Sequence, residues 1–183
     1  MLQRITRPDA FRFHNGDKAT LPFSTREYQR RLGRLRKSMS RMDLPAVLLT
    51  SMHNIAYYSG FLYCSFGRPY ACVVTHDTCT TVSANIDAGQ PWRRSFGDNI
   101  TYTDWQRGNY WRAIRDLIGE PGRLGIEADH MTLAMRDQAI ASLGAPDMCD
   151  IAIATMAQRM GKSAEEITLI KSGAAIADIG GKA

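Results

Sequence analysis

The chain has 183 residues, 44% of them apolar and 22% charged, and a formal net charge of +5, values in the ordinary range for a soluble globular protein of one domain and a small remainder. No run approaches the roughly 18 consecutive apolar residues of a membrane-spanning helix, and the opening Arg4, Arg7, Asp9 and Arg12 have no apolar block behind them as a secretory signal would; no membrane partner is expected, and the default location is cytoplasmic. The charge crowds into Arg26, Arg30, Arg31, Arg34, Arg36, Lys37 and Arg41, but no nucleic-acid motif accompanies it, so a solvated basic helix face is expected and nucleic acid is not expected as a partner.

Residues 1–23 mix charge with Gly16 and Pro22 without periodicity, which predicts an irregular arm. Ser24 and Glu27 have the spacing of a capping box, in which each side chain satisfies an unpaired backbone N–H at a helix start. Tyr28, Leu32, Leu35, Met39 and Met42 follow at steps of four and three, the stripe of a helix packed on a core. Beyond Pro45, Ala46–Thr50 is short and largely apolar like a buried strand, and Tyr57 and Tyr58 are expected to pack a short helix. Tyr70–Thr75 and Cys79–Ala84 read as two strands of a hairpin turned at His76, Asp77 and Thr78. Trp92 and Trp105 are expected as loop anchors.

A strand is predicted over Asn99–Thr103 and a helix over Tyr110–Ile118, with Trp111, Ile114 and Ile118 on one face. An extended piece bracketed by Gly122 and Gly125 ends at Glu127, a helix over Thr132–Leu143 is closed by Gly144, and Met148–Ala152 is a last strand. Strands alternating with helices place the chain in the α/β class, a mixed β-sheet flanked by helices. Ser163 and Glu166 form a second capping box, and Ile167, Ile170, Ala174 and Ala177 carry a helical stripe up to Gly180 and Gly181. Packing of an apolar face stabilises most helices, so this one either docks back on its own domain or serves a second domain; the pattern does not choose.

Cys64, Cys72, Cys79 and Cys149 lack the close pairing of a zinc or redox centre and read as free thiols. His14, His53, His76 and His130 are scattered, with no HExxH motif, so neither a metal site nor a cofactor is expected. His53 is expected to order a turn through side-chain hydrogen bonds.

Several strings resemble the creatinase (creatine amidinohydrolase) family of the pita-bread superfamily. They are residues 51–59 (SMHNIAYYS), 61–70 (FLYCSFGRPY), 83–87 (SANID), 89–94 (GQPWRR), 102–107 (YTDWQR), 162–166 (KSAEE) and 176–181 (IADIGG). FLYCSFGRPY and GQPWRR are specific, whereas HNIxYYSG and KSAEE are shared with aminopeptidase P and prolidase. The resemblance implies a homodimer of two-domain subunits that hydrolyses creatine to sarcosine and urea without a metal. It implies an amino-terminal α/β domain over residues 1–160 and, over 161–183, a linker helix and the start of a pita-bread catalytic domain. Gly161 stands where the superfamily usually has a larger apolar residue, and since glycine costs about 1 kcal/mol relative to alanine in a helix interior, a break between helices is expected there.

In that family the catalytic histidine and the carboxylates that hold the guanidinium group lie in the second domain, beyond the residues here, so no catalytic residue is expected in this chain and no activity from it alone. The amino-terminal domain supplies an arginine and a phenylalanine to the partner's active site, and the matching positions are Arg68 and Phe66. The chemistry fits: a guanidinium offers a carboxylate two donors in a fixed fork, and a phenyl ring can wall off the substrate's methyl group. Asp87, Arg93 and Arg94 are candidates for interface contacts. The competing expectations are a non-catalytic dimerisation or binding module, and the amino-terminal domain of another pita-bread enzyme such as an aminopeptidase P-like protein.

Overall fold

The computed structural model describes residues 7–63, 67–87 and 89–182. Three strands, β2 (Ala46–Leu49), β3 (Ala71–Thr75) and β4 (Cys79–Ala84), are buried at every position but Thr75, which is why they read as apolar and threonine runs without alternation. β3 and β4 are the expected hairpin. Its turn is closed by threonine side chains, with Thr75 Oγ1 accepting from the backbone of Asp77 at 3.2 Å and of Thr78 at 2.9 Å, a local bond that competes well with extended structure. With β1 (Ala10–Phe11), β5 (Asp98–Tyr102), β6 (Arg123–Ile126) and β7 (Asp147–Asp150), they form one sheet in the order β1-β5-β4-β3-β2-β6-β7. The pairs β4/β5, β2/β6 and β6/β7 are parallel and the others antiparallel, so the sheet is mixed as expected.

Between β4 and β5 runs a polar seam with its hydrogen bonds made internally. Asn99 donates to the Thr81 carbonyl, the Thr81 hydroxyl and Ser83 at 3.1, 2.9 and 3.0 Å, and accepts from Thr101 at 3.0 Å. Burying these groups is tolerated only because each has a partner. A Cβ on Gly97, just before β5, would lie 1.9 Å from the Cys79 carbonyl oxygen, so only glycine lets the two backbones approach there.

Helix α1 (Thr25–Arg41) buries Tyr28, Leu32, Leu35 and Met39, the predicted stripe, and packs on α2 (Met52–Ser59) and on α6 (Ala152–Met160). A short α3 (Gln90–Arg93) leads into β5; α4 (Asn109–Ile118) and α5 (Leu133–Ser142) pack on each other. Gly161 separates α6 from α7 (Ala164–Gly180), where a break was expected. No helix among the described residues is long and apolar enough to cross a membrane.

Three local expectations are corrected, and one alternative left open is narrowed. The arm is not wholly irregular, because Ala10 and Phe11 pair with Tyr102 and Thr101 as an edge strand. The predicted last strand stops at Asp150, and Ala152 opens α6, a helix hidden from pattern reading because it is inverted. Its inward residues are Thr155 and Gln158, while Ile153 is 84% and Met160 72% exposed. The capping box at Ser24 is only half formed, since Ser24 accepts from Glu27 N at 3.2 Å but its own N–H is taken at 2.9 Å by Glu165, 141 residues later. Finally, α7 docks back only by its first turn: beyond the buried Glu166 every described residue is exposed, including Ile167, Ile170, Ile176 and Ile179.

Glu27 is freed from capping by that exchange and turns to two guanidiniums, Arg30 at 2.7 and 2.8 Å and the buried Arg31 at 2.9 Å. The hydrogen bonds from Arg30, opposed by burial and helped by Arg31, lower its pKa to about 2. A carboxylate held below its unfolded value, near 4.5, stabilises fully above that value, and the contribution fades as the pH falls toward the folded one. Chemical denaturation should therefore show a loss of roughly 3 kcal/mol between about pH 5 and pH 2 that is missing in Glu27→Gln. Equal pH slopes for the two proteins would remove Glu27 as the source.

Candidate functional site

Helix α2 ends at Gly60 in the left-handed conformation, φ +78°, which turns the chain into the segment that carries Arg68. That segment is braced by tyrosines. The rings of Tyr63 and Tyr70 stack at 4.3 Å, Tyr63 donates to the Thr50 carbonyl at 3.2 Å, and Tyr70 donates to Asp87. Tyr102 in β5 donates to the Pro69 carbonyl at 3.0 Å and Tyr110 in α4 to the Tyr70 carbonyl at 3.3 Å. Burial pushes the pKa of Tyr70 and Tyr102 up, so the phenols stay protonated as donors at neutral pH. Gly67 has φ +73°, a conformation side chains resist, and Pro69 restricts Arg68 to extended backbone.

Arg68 thus stands on a fixed base at the rim of the sheet, its side chain 45% exposed, with Nε 2.8 Å from Asp104 Oδ1. It lines an open cleft of about 330 Å³ together with Gly67, Tyr102, Asp104, Arg107 and Gln138. Among the described residues Asp104 is the acidic group paired with it. The contact is an ion pair without hydrogen-bond geometry, and the planar guanidinium has paired N–H donors that can meet a second carboxylate. The cleft is therefore suited to an anionic group. Phe66 lies outside the described residues, as does Cys64.

A second polar cluster points inward. Glu127, just after β6, is 1% exposed and accepts from Thr50 N at 2.5 Å, Ser51 N at 2.9 Å, Asn54 Nδ2 at 2.5 Å and the Ser51 hydroxyl. These donors surround the start of α2, so the carboxylate replaces the missing turn of the helix and answers its positive end. His130 joins through Thr50 Oγ1 at 3.0 Å. The ordering role expected of His53 falls to Ser51 and Glu127, since His53 is exposed and its side chain makes no hydrogen bond to a described residue. Although the residue is exposed, partial desolvation of its ring, and next the charge of Arg159, lower the His53 pKa, which favours the neutral ring.

Trp92 and Trp105 both anchor the arm. Trp92 stacks on His14 at 4.7 Å and lies under Lys18 Nζ at 4.7 Å, and Trp105 donates to the Pro8 carbonyl at 3.2 Å. Two of the candidate interface residues are engaged within the chain, Asp87 by Tyr70 and Arg93 by the Asp17 carbonyl at 3.0 Å. Cys72 and Cys79 are buried free thiols and Cys149 a half-buried one. Sequence reading missed Asp104, because nothing in its spacing from Arg68 marks the pair; its position depends on how β5 lies against the Gly67–Tyr70 segment.

The sequence profile of the Creatinase/Prolidase N-terminal domain matches residues 31–161. The chain is 53% identical over 174 residues to "Creatinase" of Bacillus sp. (strain B-0618), an alignment spanning 93% of this chain and 42% of that protein. It therefore spans about two fifths of the curated relative it matches. Among solved structures it is similar to a proline dipeptidase from Streptococcus pneumoniae TIGR4, with a TM-score of 0.65 and 14% identity over 72% of this chain and 98% of that one. It is also similar to the prolidase from Pyrococcus horikoshii OT3, with a TM-score of 0.67 and 19% identity over 81% of this chain and 40% of that one. At such identities the two structures speak for the fold alone.

Replacing Glu127 by alanine strands four donors in a dry environment, which should cost roughly 3 kcal/mol or more. Urea denaturation of the purified chain measures it, and a loss under about 1 kcal/mol, the worth of an ordinary hydrogen bond, would mean that water replaces the carboxylate.

Proposed function

Since the chain belongs to the Creatinase/Prolidase N-terminal domain family, we propose that residues 1–160 are the amino-terminal α/β domain of a creatinase and residues 161–183 its linker helix and the start of its catalytic domain. In this reading the complete enzyme is a cytoplasmic homodimer that hydrolyses creatine to sarcosine and urea. The observation that carries it is the 53% identity to a creatinase across 93% of the chain, set against 14% and 19% for the two proline-peptide enzymes. The exposure of Ile167, Ile170, Ile176 and Ile179 along α7 supports the presence of a further domain, because exposed apolar residues in such number on one helix mark an interaction surface.

The role proposed for this domain is to hold the carboxylate end of the substrate. Creatine is a zwitterion, and Arg68 repels its guanidinium while attracting its carboxylate, so the arginine selects one orientation as well as adding affinity. Phe66, two positions before, is proposed as the apolar wall beside the methyl group. Because the active site is read as spanning two subunits, Arg68 faces outward and the cleft around it is open rather than closed. The proton-transferring histidine is assigned to the catalytic domain, and this chain supplies binding rather than chemistry.

The purified 183-residue chain should fold and release no urea from creatine. A urea signal that survives repurification and exceeds a host-extract control would refute the division of labour.

In a chimera joining this chain to the remaining carboxy-terminal part of the Bacillus creatinase, Arg68→Ala should lower kcat/KM for creatine by about 2–5 kcal/mol of transition-state stabilisation. Arg68→Lys should fall between, since lysine keeps the charge and loses the fork. Thermal melts of each variant separate binding from folding. Normal kinetics for Arg68→Ala, or a folded chimera that leaves creatine untouched, would overturn the reading.

A further inference from the structure

We propose that the cleft between α1 and α6 is a binding site for a dianionic phosphate, free or as the terminal group of a small phosphate ester. The cleft, of about 320 Å³, is lined on the α1 side by Arg34, Lys37, Ser38 and Arg41 and on the α6 side by Ala154, Ala157 and Gln158. Its cations are ones that the fold leaves unmatched. Arg30 and Arg31 have Glu27, and Arg36 donates to the Thr75 and Thr78 carbonyls at 3.0 and 3.1 Å. Arg34, Lys37 and Arg41 form no ion pair with a described residue, and no described acidic residue lines the cleft. Arg34 and Lys37 are three residues apart and Lys37 and Arg41 four, spacings at which like charges meet on a helix surface and destabilise it. The helix dipole favours a cation in the last turn, which accounts for Arg41 alone. An anion held among the three turns repulsion into attraction.

The second observation is Gln158, which lines the cleft although it is only 5% exposed. Both tyrosines of α2 fix it: Tyr57 donates to its carbonyl at 3.2 Å and Tyr58 to its Oε1 at 3.1 Å. The oxygen of the amide is thereby taken, and Nε2 is the end without a hydrogen-bond partner among the described residues. Ser38, itself buried, accepts from Arg41 at 3.2 Å and so holds that guanidinium at the cleft. A fixed amide with an unused donor beside three cations suits an oxyanion, because the amide donates without adding charge and arginine can meet phosphate oxygens with two parallel hydrogen bonds. The site is compact: its cations gather at one cleft, whereas a nucleic acid needs an extended track of charge along its backbone. This inference is independent of the role proposed for Arg68.

The test is isothermal titration calorimetry of the 183-residue chain with inorganic phosphate, at slightly alkaline pH and a constant ionic strength of about 0.15 M, where exposed charges more than a Debye length apart are screened. Saturable one-to-one binding is expected, and in isotope-labelled protein the side-chain amide signal of Gln158 should follow the same curve. Lys37→Gln and Arg41→Gln, at exposed positions whose change leaves the core untouched, should each weaken binding about tenfold, the worth of a charged hydrogen bond. Arg26→Gln removes the same charge from an exposed position of the same helix, about two turns before Arg34, and should change binding by less than about twofold. Gln158→Glu should abolish binding by setting a carboxylate in the cleft; should it fail to fold, Lys37→Gln and Arg41→Gln carry the test. Glycerol phosphate as a second probe separates the sources: tighter binding than inorganic phosphate assigns the site to an ester, and binding no tighter assigns it to the free ion. Absence of saturable binding, equal losses in Arg26→Gln and Lys37→Gln, or an unmoved Gln158 signal overturns the proposal. Binding to the chain that vanishes in the folded chimera described above also overturns it, because the cleft would then receive a side chain of the further domain.

Discussion

The guanidinium of Arg31 lies where the arm, α1, α2 and α7 meet, and it is 1% exposed. It donates to Glu27 and to the Tyr57 carbonyl at 2.9 Å each, sits over the rings of Phe23 and Tyr57 at 4.0 and 4.3 Å, and has its remaining nitrogen 3.2 Å from Glu166. A buried charge is tolerated only where opposite charges and hydrogen bonds compensate its lost hydration. The last contact is an ion pair without hydrogen-bond geometry, so its direction is loose while its charge is needed. Each of the four segments supplies part of the compensation, and none can withdraw without leaving the others with an uncompensated group.

That constraint sets where the carboxy-terminal helix begins. Glu166 caps α7 through Ser163 N at 2.7 Å while facing Arg31, and Glu165 binds the backbone and hydroxyl of Ser24 at 2.9 and 2.7 Å. The first turn of α7 is thus locked to the first turn of α1, each helix start satisfying groups on the other. Beyond that turn the helix leaves the domain. The chain combines a firmly fixed helix origin with an exposed length that carries Ile167, Ile170, Ile176 and Ile179.

Two arginines illustrate how the same side chain serves opposite ends. Arg31 is consumed by structure, with its charge enclosed and its partners on several segments. Arg68 is half-exposed, forms an ion pair with Asp104 and lines an open cleft. Both lie in sequence surroundings that mark neither role: Arg31 sits among six other basic residues of its segment and reads as part of a solvated face, while Arg68 in a glycine-proline loop reads as surface. Basic residues of α1 such as Lys37 and Arg41 are exposed as the charge pattern predicts, but Arg31 lies on the side turned toward α2, which that pattern does not distinguish.

By itself the sequence determined the class of the fold, the extent of β4, the start of α1, the hairpin, the cap at Ser163 and the break at Gly161. These depend on residues within a turn or two of one another, where periodicity and capping chemistry act directly. Its resemblance strings also carried the family and pointed to Arg68. Only the tertiary structure decided the strand order, the edge pairing of Ala10 and Phe11, the inverted α6, and the replacement of Glu27 by Glu165 at Ser24. The same holds for the pairing of Arg68 with Asp104. Each is a contact between residues far apart in the chain, and local patterns omit such contacts because a polar group records its need for a partner but not which of several distant partners the packed sheet will bring to it.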